Sequence, residues 1–340
     1  MSDLRLYVVI LTVACLLTES KCLLENELSK VQAFLPDKMH NSTTQLNYVK
    51  KNQTHSIAFI VPVFTTSAYN NAFYFFYEKY AKSPGGVNIT NNLSLLSARV
   101  TDPKNGKTAS IDASSLALPF LEKHTRLLLP KEKVDVLTDI DVDRGSIFRN
   151  SSNAYDVLIL GHQEYVTQKE YNNLKQFVKN AGTLILLDSN VFYAQVGYDS
   201  ITNLVTLVKG HGWQYNGITA WKSIDDRWKK ETSEWTGSNY ICSSCKVTFV
   251  HNPFGYEHME EQNITNANAK LIFNYNASVL SLNPKFNNAT LAHKYIIGIY
   301  ELPYGKGNVI SFGIYADKVI TNKQFLILFD KLLLSSIIKN

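Results

Sequence analysis

The chain has 340 residues, and 45% of them are hydrophobic, which is enough for one large domain or two ordinary ones. The formal net charge of +5 is small for this length and is spread along the chain, which argues against a nucleic-acid-binding surface. Apart from the first residues, no segment is apolar and long enough to cross a bilayer.

The N-terminus has the pattern of a secretory signal peptide. Arg5 precedes an apolar run over residues 6–17, and small residues follow that run. We therefore expect residues 1–22 to be a signal peptide and the protein to be secreted or held at the cell surface. An uncleaved anchor is the alternative, because hydropathy separates the two poorly. The polar residues 23–55 are predicted to form an N-terminal arm.

Glycosylation motifs agree with export. Eight Asn-x-Ser/Thr sequons predict a glycoprotein, although an Asn-rich composition would also produce some of them. The asparagines of these sequons are Asn41, Asn52, Asn88, Asn92, Asn150, Asn263, Asn276 and Asn288.

Four apolar runs predict buried strands in the first part of the main domain, which we expect to span residues 56–340. Three of these runs are residues 57–64, 155–161 and 182–188, and the second strand starts in the segment 134–145. Continuous apolar runs of this length are typical of strands that are covered on both faces.

A helix is predicted between the third and the fourth of these strands. Thr167 and Glu170 have the spacing of a capping box, apolar residues recur after them at helical spacing, and Gly182 follows as a stop signal. Strand, helix and strand in this order form a βαβ unit. The fold class predicted is α/β, with a doubly wound, mainly parallel sheet.

The pattern changes after about residue 205, where short alternating segments predict antiparallel strands and the last residues predict an amphipathic helix. Cys242 and Cys245 lie in this region as a "CSSC" motif. In an exported protein we expect a local disulfide that acts as a structural clip or a hairpin staple. The pair is also half of a zinc site, but the sequence has no second half.

Polar residues follow the third and fourth predicted strands, where open α/β sheets bind their ligands. We expect one pocket at this edge, lined by residues from both strand ends: His162, Glu164, Tyr165, Asn190 and Tyr193. Taken singly, each of these residues is more often structural, as a helix cap or a loop contact. The acidic run 139–143 after the second strand is interpreted as a solvated turn rather than a metal site.

Several enzyme classes lack their motifs. The chain has no nucleophile elbow, no P-loop, no GxGxxG and no HExxH, and no cysteine lies at a strand end. Amidotransferase and cysteine-peptidase chemistry are therefore unsupported.

The segment "GHQEYVTQKEYNNLKQFVKNAGTLILLDSNVFY" resembles the C-terminal domain of the large subunit of N,N-dimethylformamidase. His162, Glu164 and Tyr165 fit the first motif of that family, and Asn190 and Tyr193 fit the second, over a resemblance that covers roughly residues 57–200. It implies a glutamine-amidotransferase-like α/β fold without the cysteine nucleophile.

The resemblance also implies a mononuclear iron held by two tyrosines and a glutamate, which activates water on an amide. Phenolate and carboxylate are hard oxygen ligands that suit ferric iron. Tyr165 and Tyr193 are the phenols nominated, and Glu260 is the carboxylate.

Two functions are therefore expected. The first is an exported metal-dependent hydrolase of amide or other C–N bonds, with His162, Glu164 and Asn190 as catalytic residues. The alternative is a non-catalytic cell-surface or extracellular binding protein on the same fold. In both, the partner is an unknown small-molecule ligand.

Overall fold

The computed structural model describes the parts of the chain that form the sheets and their helices. The described residues are 54–69, 90–92, 114–188, 191–192, 194–209, 228–240, 250–251, 254, 257–258, 262–274, 298–314, 316 and 319–339. Within these residues, no helix combines the length and the apolar character that a membrane crossing requires.

Most strands belong to two sheets. In chain order the strands are β1 (Ser56–Val61), β2 (Thr90–Asn92), β3 (Lys133–Thr138), β4 (Phe148–Arg149), β5 (Ser152–Asn153), β6 (Val157–Leu160), β7 (Tyr165–Thr167), β8 (Thr183–Leu186), β9 (Ala194–Asp199), β10 (Leu204–Lys209), β11 (Ser238–Tyr240), β12 (Val250–His251), β13 (Glu257–His258), β14 (Gln262–Ile264), β15 (Lys270–Asn274), β16 (Gly298–Tyr304) and β17 (Gly307–Ser311).

The helices of the described residues range from one turn to more than four turns. They are α1 (Val63–Tyr69), α2 (Ser114–Leu128), α3 (Asp139–Asp143), α4 (Gln168–Lys179), α5 (Lys229–Thr236) and α6 (Lys323–Lys339).

The central sheet has seven strands in the order β15-β16-β17-β8-β6-β1-β3. The strands β17, β8, β6, β1 and β3 are parallel, each to its neighbour. All residues of 57–60, 157–160 and 184–186 are buried, because helices and loops cover both faces of these strands. The predicted mainly parallel α/β sheet is confirmed.

The second predicted strand differs from the expectation of burial on both faces. β3 lies at the edge of the central sheet, and the side chain of Val136 is 51% exposed. The run of apolar residues is shorter here, and Lys133 pairs with Asp135 on the edge. Charged side chains on an edge strand oppose pairing with another chain.

The antiparallel C-terminal elaboration is also confirmed. β16 and β17 form a hairpin through the turn Gly305–Lys306, and β17 joins the parallel strands beside β8. Gly305 has φ +61°, and a Cβ atom there would lie 2.7 Å from the Cα atom of Lys179. Glycine therefore serves both the turn and its close approach to the end of α4.

The predicted C-terminal helix α6 packs on the sheet through aromatic side chains. Phe325 and Phe329 are fully buried and contact Phe312, which follows β17. α4 covers the sheet in the same way with Tyr171, Leu174, Phe177 and Val178, the positions predicted from its helical spacing.

The second sheet has the order β2-β10-β9-β7. Its parallel pair β7 and β9 contains the residues that follow β6 and β8 along the chain. β6 and β8 are neighbours in the central sheet, and the strands that follow them, β7 and β9, are neighbours in the second sheet. The segments that connect β6 to β7 and β8 to β9 therefore start at the same edge of the central sheet.

Candidate functional site

The carboxyl ends of β6 and β8 lie side by side. Leu160 pairs with Leu186, and the N–H of Leu187 donates to the Leu160 carbonyl at 3.0 Å. The polar residues that follow the two strands, His162 and Asp188, therefore meet at the same edge of the sheet.

His162 is buried between two carboxylates. Its Nε2 lies 3.1 Å from Glu164 Oε2, and its Nδ1 lies 3.5 Å from Asp188 Oδ2. The three side chains are 6%, 1% and 2% exposed. A carboxylate at each ring nitrogen favours the imidazolium form, in which both nitrogens carry a proton. Three ionisable groups held away from water are costly and need such mutual compensation.

The backbone that carries Glu164 and Tyr165 is held from two directions. The N–H groups of Phe192 and Ala194 donate to the carbonyls of Gln163 and Glu164 at 2.8 and 3.1 Å. From α1, the hydroxyl of Thr65 accepts the N–H of Tyr165 at 3.1 Å. Tyr165 is 1% exposed. The segment 162–165 is therefore fixed on one side by Phe192 and the first residue of β9, and on the other by the start of α1.

Gln163 contacts a further buried acidic side chain, that of Asp139. Its Nε2 donates to Asp139 Oδ1 at 3.1 Å and to the carbonyl of Ile60 at 3.2 Å. The other oxygen of Asp139 accepts the N–H of Phe64 at 2.9 Å. Asp139 thus ties the segment 162–165 to the beginning of α1.

The acidic run 139–143 is not the solvated turn that the sequence suggested. It forms the short helix α3, in which Asp139 is fully buried. Its start carries a complete capping box: the backbone and hydroxyl of Thr138 donate to Asp141 at 2.9 and 2.8 Å, and the N–H of Asp141 donates back to the hydroxyl.

The capping box predicted at the start of α4 is only half formed. Thr167 accepts the N–H of Glu170 at 3.0 Å, and its own hydroxyl donates to Asp143. The carboxyl group of Glu170 lies beside Asp139 instead of reaching back to the cap. Burial, followed by the charge of Asp139, holds the pKa of Glu170 well above its ordinary value of 4.5.

The predicted site residues are only partly within the described residues. His162 and Glu164, predicted to be catalytic, are in contact, and Tyr165 follows them in β7. Outside the described residues lie Asn190, Tyr193, Glu260, Cys242 and Cys245.

The sequons are distributed similarly. Asn150 is exposed at the turn between β4 and β5, and Asn92 and Asn263 lie on β2 and β14. The sequons outside the described residues are those of Asn41, Asn52, Asn88, Asn276 and Asn288.

Four residues of this edge were absent from the predicted set: Asp188, Gln163, Asp139 and Thr65. Asp188 and Gln163 come shortly after apolar strands, so the sequence placed them at the edge of the sheet. The sequence did not indicate which side chains they would contact. The hydrogen bonds of Asp139 and Thr65 join residues far apart in the chain, and no local pattern reveals them.

Similarity to solved structures is distant. A catalytic mutant of the GH42 beta-galactosidase Gan42B from G. stearothermophilus is 15% identical over 84% of this chain and 31% of its own, with a TM-score of 0.38. Cytoplasmic protein STM3548 from Salmonella typhimurium is 12% identical over 83% of this chain and 97% of its own, with a TM-score of 0.38. The chain spans about a third of the length of the glycoside hydrolases that it matches.

No curated protein matches this chain. A family match is found over residues 28–269, which extends beyond the region 57–200 where the motifs were recognised. The match includes β1 to β14 and the whole cluster around His162. The chain therefore belongs to the family described as N,N-dimethylformamidase beta subunit-like, C-terminal.

Proposed function

We propose that the protein hydrolyses an amide or another C–N bond at the carboxyl edge of its central sheet. The observation that carries this proposal is the buried histidine between Glu164 and Asp188. Ionisable groups that are crowded and removed from water are typical of catalytic sites, because they reduce stability and are retained for their chemistry. The family to which the chain belongs takes its name from an amidase.

The three side chains have complementary roles in this proposal. Amide hydrolysis needs one group to take a proton from water and one to give a proton to the leaving nitrogen. Glu164 takes the proton from the attacking water and then gives it to the leaving nitrogen, and the His162 ring, whose Nε2 lies 3.1 Å from Glu164 Oε2, stabilises this carboxylate. Asp188, on the far side of the ring, orients His162, as the carboxylate does in a triad. Asn190 stays the predicted third catalytic residue.

A mononuclear iron is part of the same proposal. Among the described residues, no three His, Cys, Asp or Glu side chains are arranged to hold a metal ion. The ligands that the family resemblance implies are the phenol of Tyr165, which is buried in this segment, with Tyr193 and Glu260. When bound, such an ion lowers the pKa of a water molecule, so that hydroxide is available at neutral pH.

The test measures metal content, visible absorption and amine release from a panel of simple amides that includes N,N-dimethylformamide. Tyr165→Phe should remove the iron and its phenolate charge-transfer colour, and with them the hydrolysis. Tyr155→Phe is the matched control, because it loses one phenol that donates to Asp135 on β3 at 2.7 Å, in a different part of the sheet.

Separate outcomes distinguish the parts of the proposal. His162→Gln should abolish hydrolysis with the iron retained. If Glu164→Gln loses the iron and Tyr165→Phe keeps it, the metal ligand is the carboxylate of Glu164 and not the phenol of Tyr165. A wild-type protein that releases no amine from any amide and contains no metal would favour the non-catalytic binding protein.

Export belongs to the proposal as well. The mature chain should begin between residues 20 and 23, carry glycans, and contain a Cys242–Cys245 disulfide. Mass spectrometry of the mature protein checks all three, and an intact Met1 or two free thiols would contradict export. The glutamine-amidotransferase-like form of the α/β fold likewise remains a proposal.

A further inference from the structure

Phe192 has a backbone conformation that is unusual for a large side chain. Its φ is +60°, in the left-handed region that glycine prefers, and its side chain is fully buried. Such a conformation persists only where the surroundings determine it, and it is common beside functional sites. Phe192 lies in the loop between β8 and β9, two positions after Asn190 and four after Asp188. The contacts that hold Phe192 therefore also determine the path of the loop that carries both residues.

The ring of Phe192 is held by aromatic side chains from two helices. From α4, the ring of Tyr171 meets it edge-on, with 5.6 Å between the ring centroids and an angle of 90° between the planes. From α5, the indole of Trp235 stacks on it, with 5.4 Å between the centroids and 26° between the planes. All three side chains are fully buried. Because both geometries are favourable for aromatic pairs and interiors are closely packed, these contacts fix the position of the ring.

The two partners of the ring are also fixed to each other. The Trp235 Nε1–H donates to the Tyr171 hydroxyl at 2.9 Å, and this hydroxyl lies 3.1 Å from the hydroxyl oxygen of Thr232. The indole of Trp228 stacks on the Tyr171 ring, with 4.3 Å between the centroids and 8° between the planes. Tyr171, Phe192, Trp228 and Trp235 thus form one aromatic cluster that joins α4, α5 and the loop after β8.

The backbone of Phe192 connects this aromatic cluster to the candidate site. Its N–H donates to the carbonyl of Gln163 at 2.8 Å, and Gln163 stands between His162 and Glu164 in the chain. Asp188, at the start of the same loop, lies 3.5 Å from His162 on the side of Nδ1. The position of Phe192 therefore affects how the two carboxylates lie on either side of the imidazole.

We propose that Phe192 is a positioning residue: its ring, held by the aromatic cluster, anchors the loop after β8 and sets the distances from His162 to its two carboxylate partners. Phe192 acts through these neighbours and needs no contact with a substrate. The geometric role does not depend on the reaction, whereas its catalytic consequence rests on the proposed hydrolysis.

The first experiment observes His162 directly in the full chain labelled with ¹⁵N-histidine. Long-range ¹H–¹⁵N NMR spectra report the environment of each imidazole nitrogen, and His162→Gln assigns the His162 signals among the eight histidines. Phe192→Leu keeps the backbone N–H, an apolar side chain and the same backbone strain, but it loses the ring. The His162 signals should therefore shift.

The matched control is Phe329→Leu. Phe329 is also fully buried, but it contacts Phe312 and Phe325 instead of the aromatic cluster. The same change of side chain should leave the His162 signals where they are in the wild type.

A second variant changes the aromatic cluster from the side of α5. Trp235→Phe keeps a ring but loses the indole and its hydrogen bond to Tyr171, so it should shift the His162 signals in the same direction and by less. Combined with Phe192→Leu it should add little, because both changes act through one contact. His162 signals that stay unchanged in whichever of the two variants folds, or that shift equally in Phe329→Leu, would overturn the proposal.

Amine release measures the catalytic consequence. In a protein that hydrolyses an amide, Phe192→Leu should lower kcat by roughly tenfold to a hundredfold with little change in KM, because small misplacements of reacting groups have effects of this size. Phe329→Leu should keep kcat close to the wild-type value. An active protein whose kcat is unchanged in Phe192→Leu would overturn the catalytic consequence. A wild type that hydrolyses no amide, with His162 signals that respond to Phe192→Leu, would reject the proposed function and support the positioning role.

Discussion

Two histidine–aspartate pairs lie at opposite edges of the central sheet. At the amino edge, His55 precedes β1 and lies 3.6 Å from Asp156, which precedes β6. At the carboxyl edge, His162 lies 3.5 Å from Asp188. The distances are nearly equal, but the aspartate side chains are 32% and 2% exposed. Burial, rather than residue type or distance, separates the two pairs.

The pair at the amino edge joins strands. Asp156 Oδ2 accepts the N–H of Ser56 at 2.8 Å, and the Asp156 backbone bonds to Ser56 and to Thr183 at 2.7 and 2.9 Å. The starts of β1, β6 and β8 are thereby held together. Because water screens the charges of this pair, its electrostatic contribution is small, and its hydrogen bonds explain its presence.

The pair at the carboxyl edge has a third member, Glu164, and little contact with water. Its charges interact strongly and compensate one another. The same motif, a polar residue beside a strand end, therefore forms a structural connection where water reaches it and a cluster of buried ionisable groups where water is excluded.

Removing the two histidines should give the largest difference between the edges. His162→Gln removes the side chain that Glu164 and Asp188 share as a buried partner and should cost about 3–5 kcal/mol of unfolding free energy. His55→Gln, the matched control, should cost less than about 1 kcal/mol. Urea unfolding at pH 7 measures both. Equal losses in the two variants would show that burial does not separate the pairs.

The elements of the sheet were predictable, because continuous apolar runs and capping residues are local signals. The four runs became parallel neighbours, and α4 buries the residues that its spacing indicated. The adjacency of β6 and β8 followed from the single helix between them, and it correctly brought His162 to the end of β8.

The polar contacts of the edge were not predictable. Glu170 has the spacing of a capping residue, but its carboxyl group is buried under the influence of an acidic residue 31 positions earlier in the chain, Asp139. Asp139 itself is fully buried, although its run is rich in charge. Burial of a charged side chain depends on which distant elements pack on it, and the sequence encodes those contacts only through the whole fold.

An intermediate effect is expected from the two helix caps at the carboxyl edge. Thr138→Ala removes the capping box of α3 and should cost about 1 kcal/mol. Thr167→Ala removes the cap of α4 together with the hydrogen bond to Asp143, and should cost roughly 1–2 kcal/mol. Chemical denaturation measures both losses.

The control for the caps is Thr202→Ala, because Thr202 is exposed and bonds Asp199 in a surface turn. Its loss should stay within about 0.5 kcal/mol. A Thr167 variant that is no less stable than this control would show that the link between α3 and α4 does not support the edge.

The smallest effect on stability is expected at the exposed turn between β4 and β5, where no buried charge is involved. Asn150 has φ +47° there, and its sequon is completed by the exposed Ser152. Ser152→Ala abolishes the sequon without changing Asn150, so the protein secreted from a glycosylating host should lose the mass of one glycan.

The unfolding free energy of the enzymatically deglycosylated protein should change by less than about 0.5 kcal/mol, because the side chain of Ser152 is exposed. Intact-mass spectrometry before and after removal of N-glycans measures the first effect and urea unfolding the second. An unchanged mass would mean that this turn carries no glycan, and would count against the glycosylation expected of an exported chain.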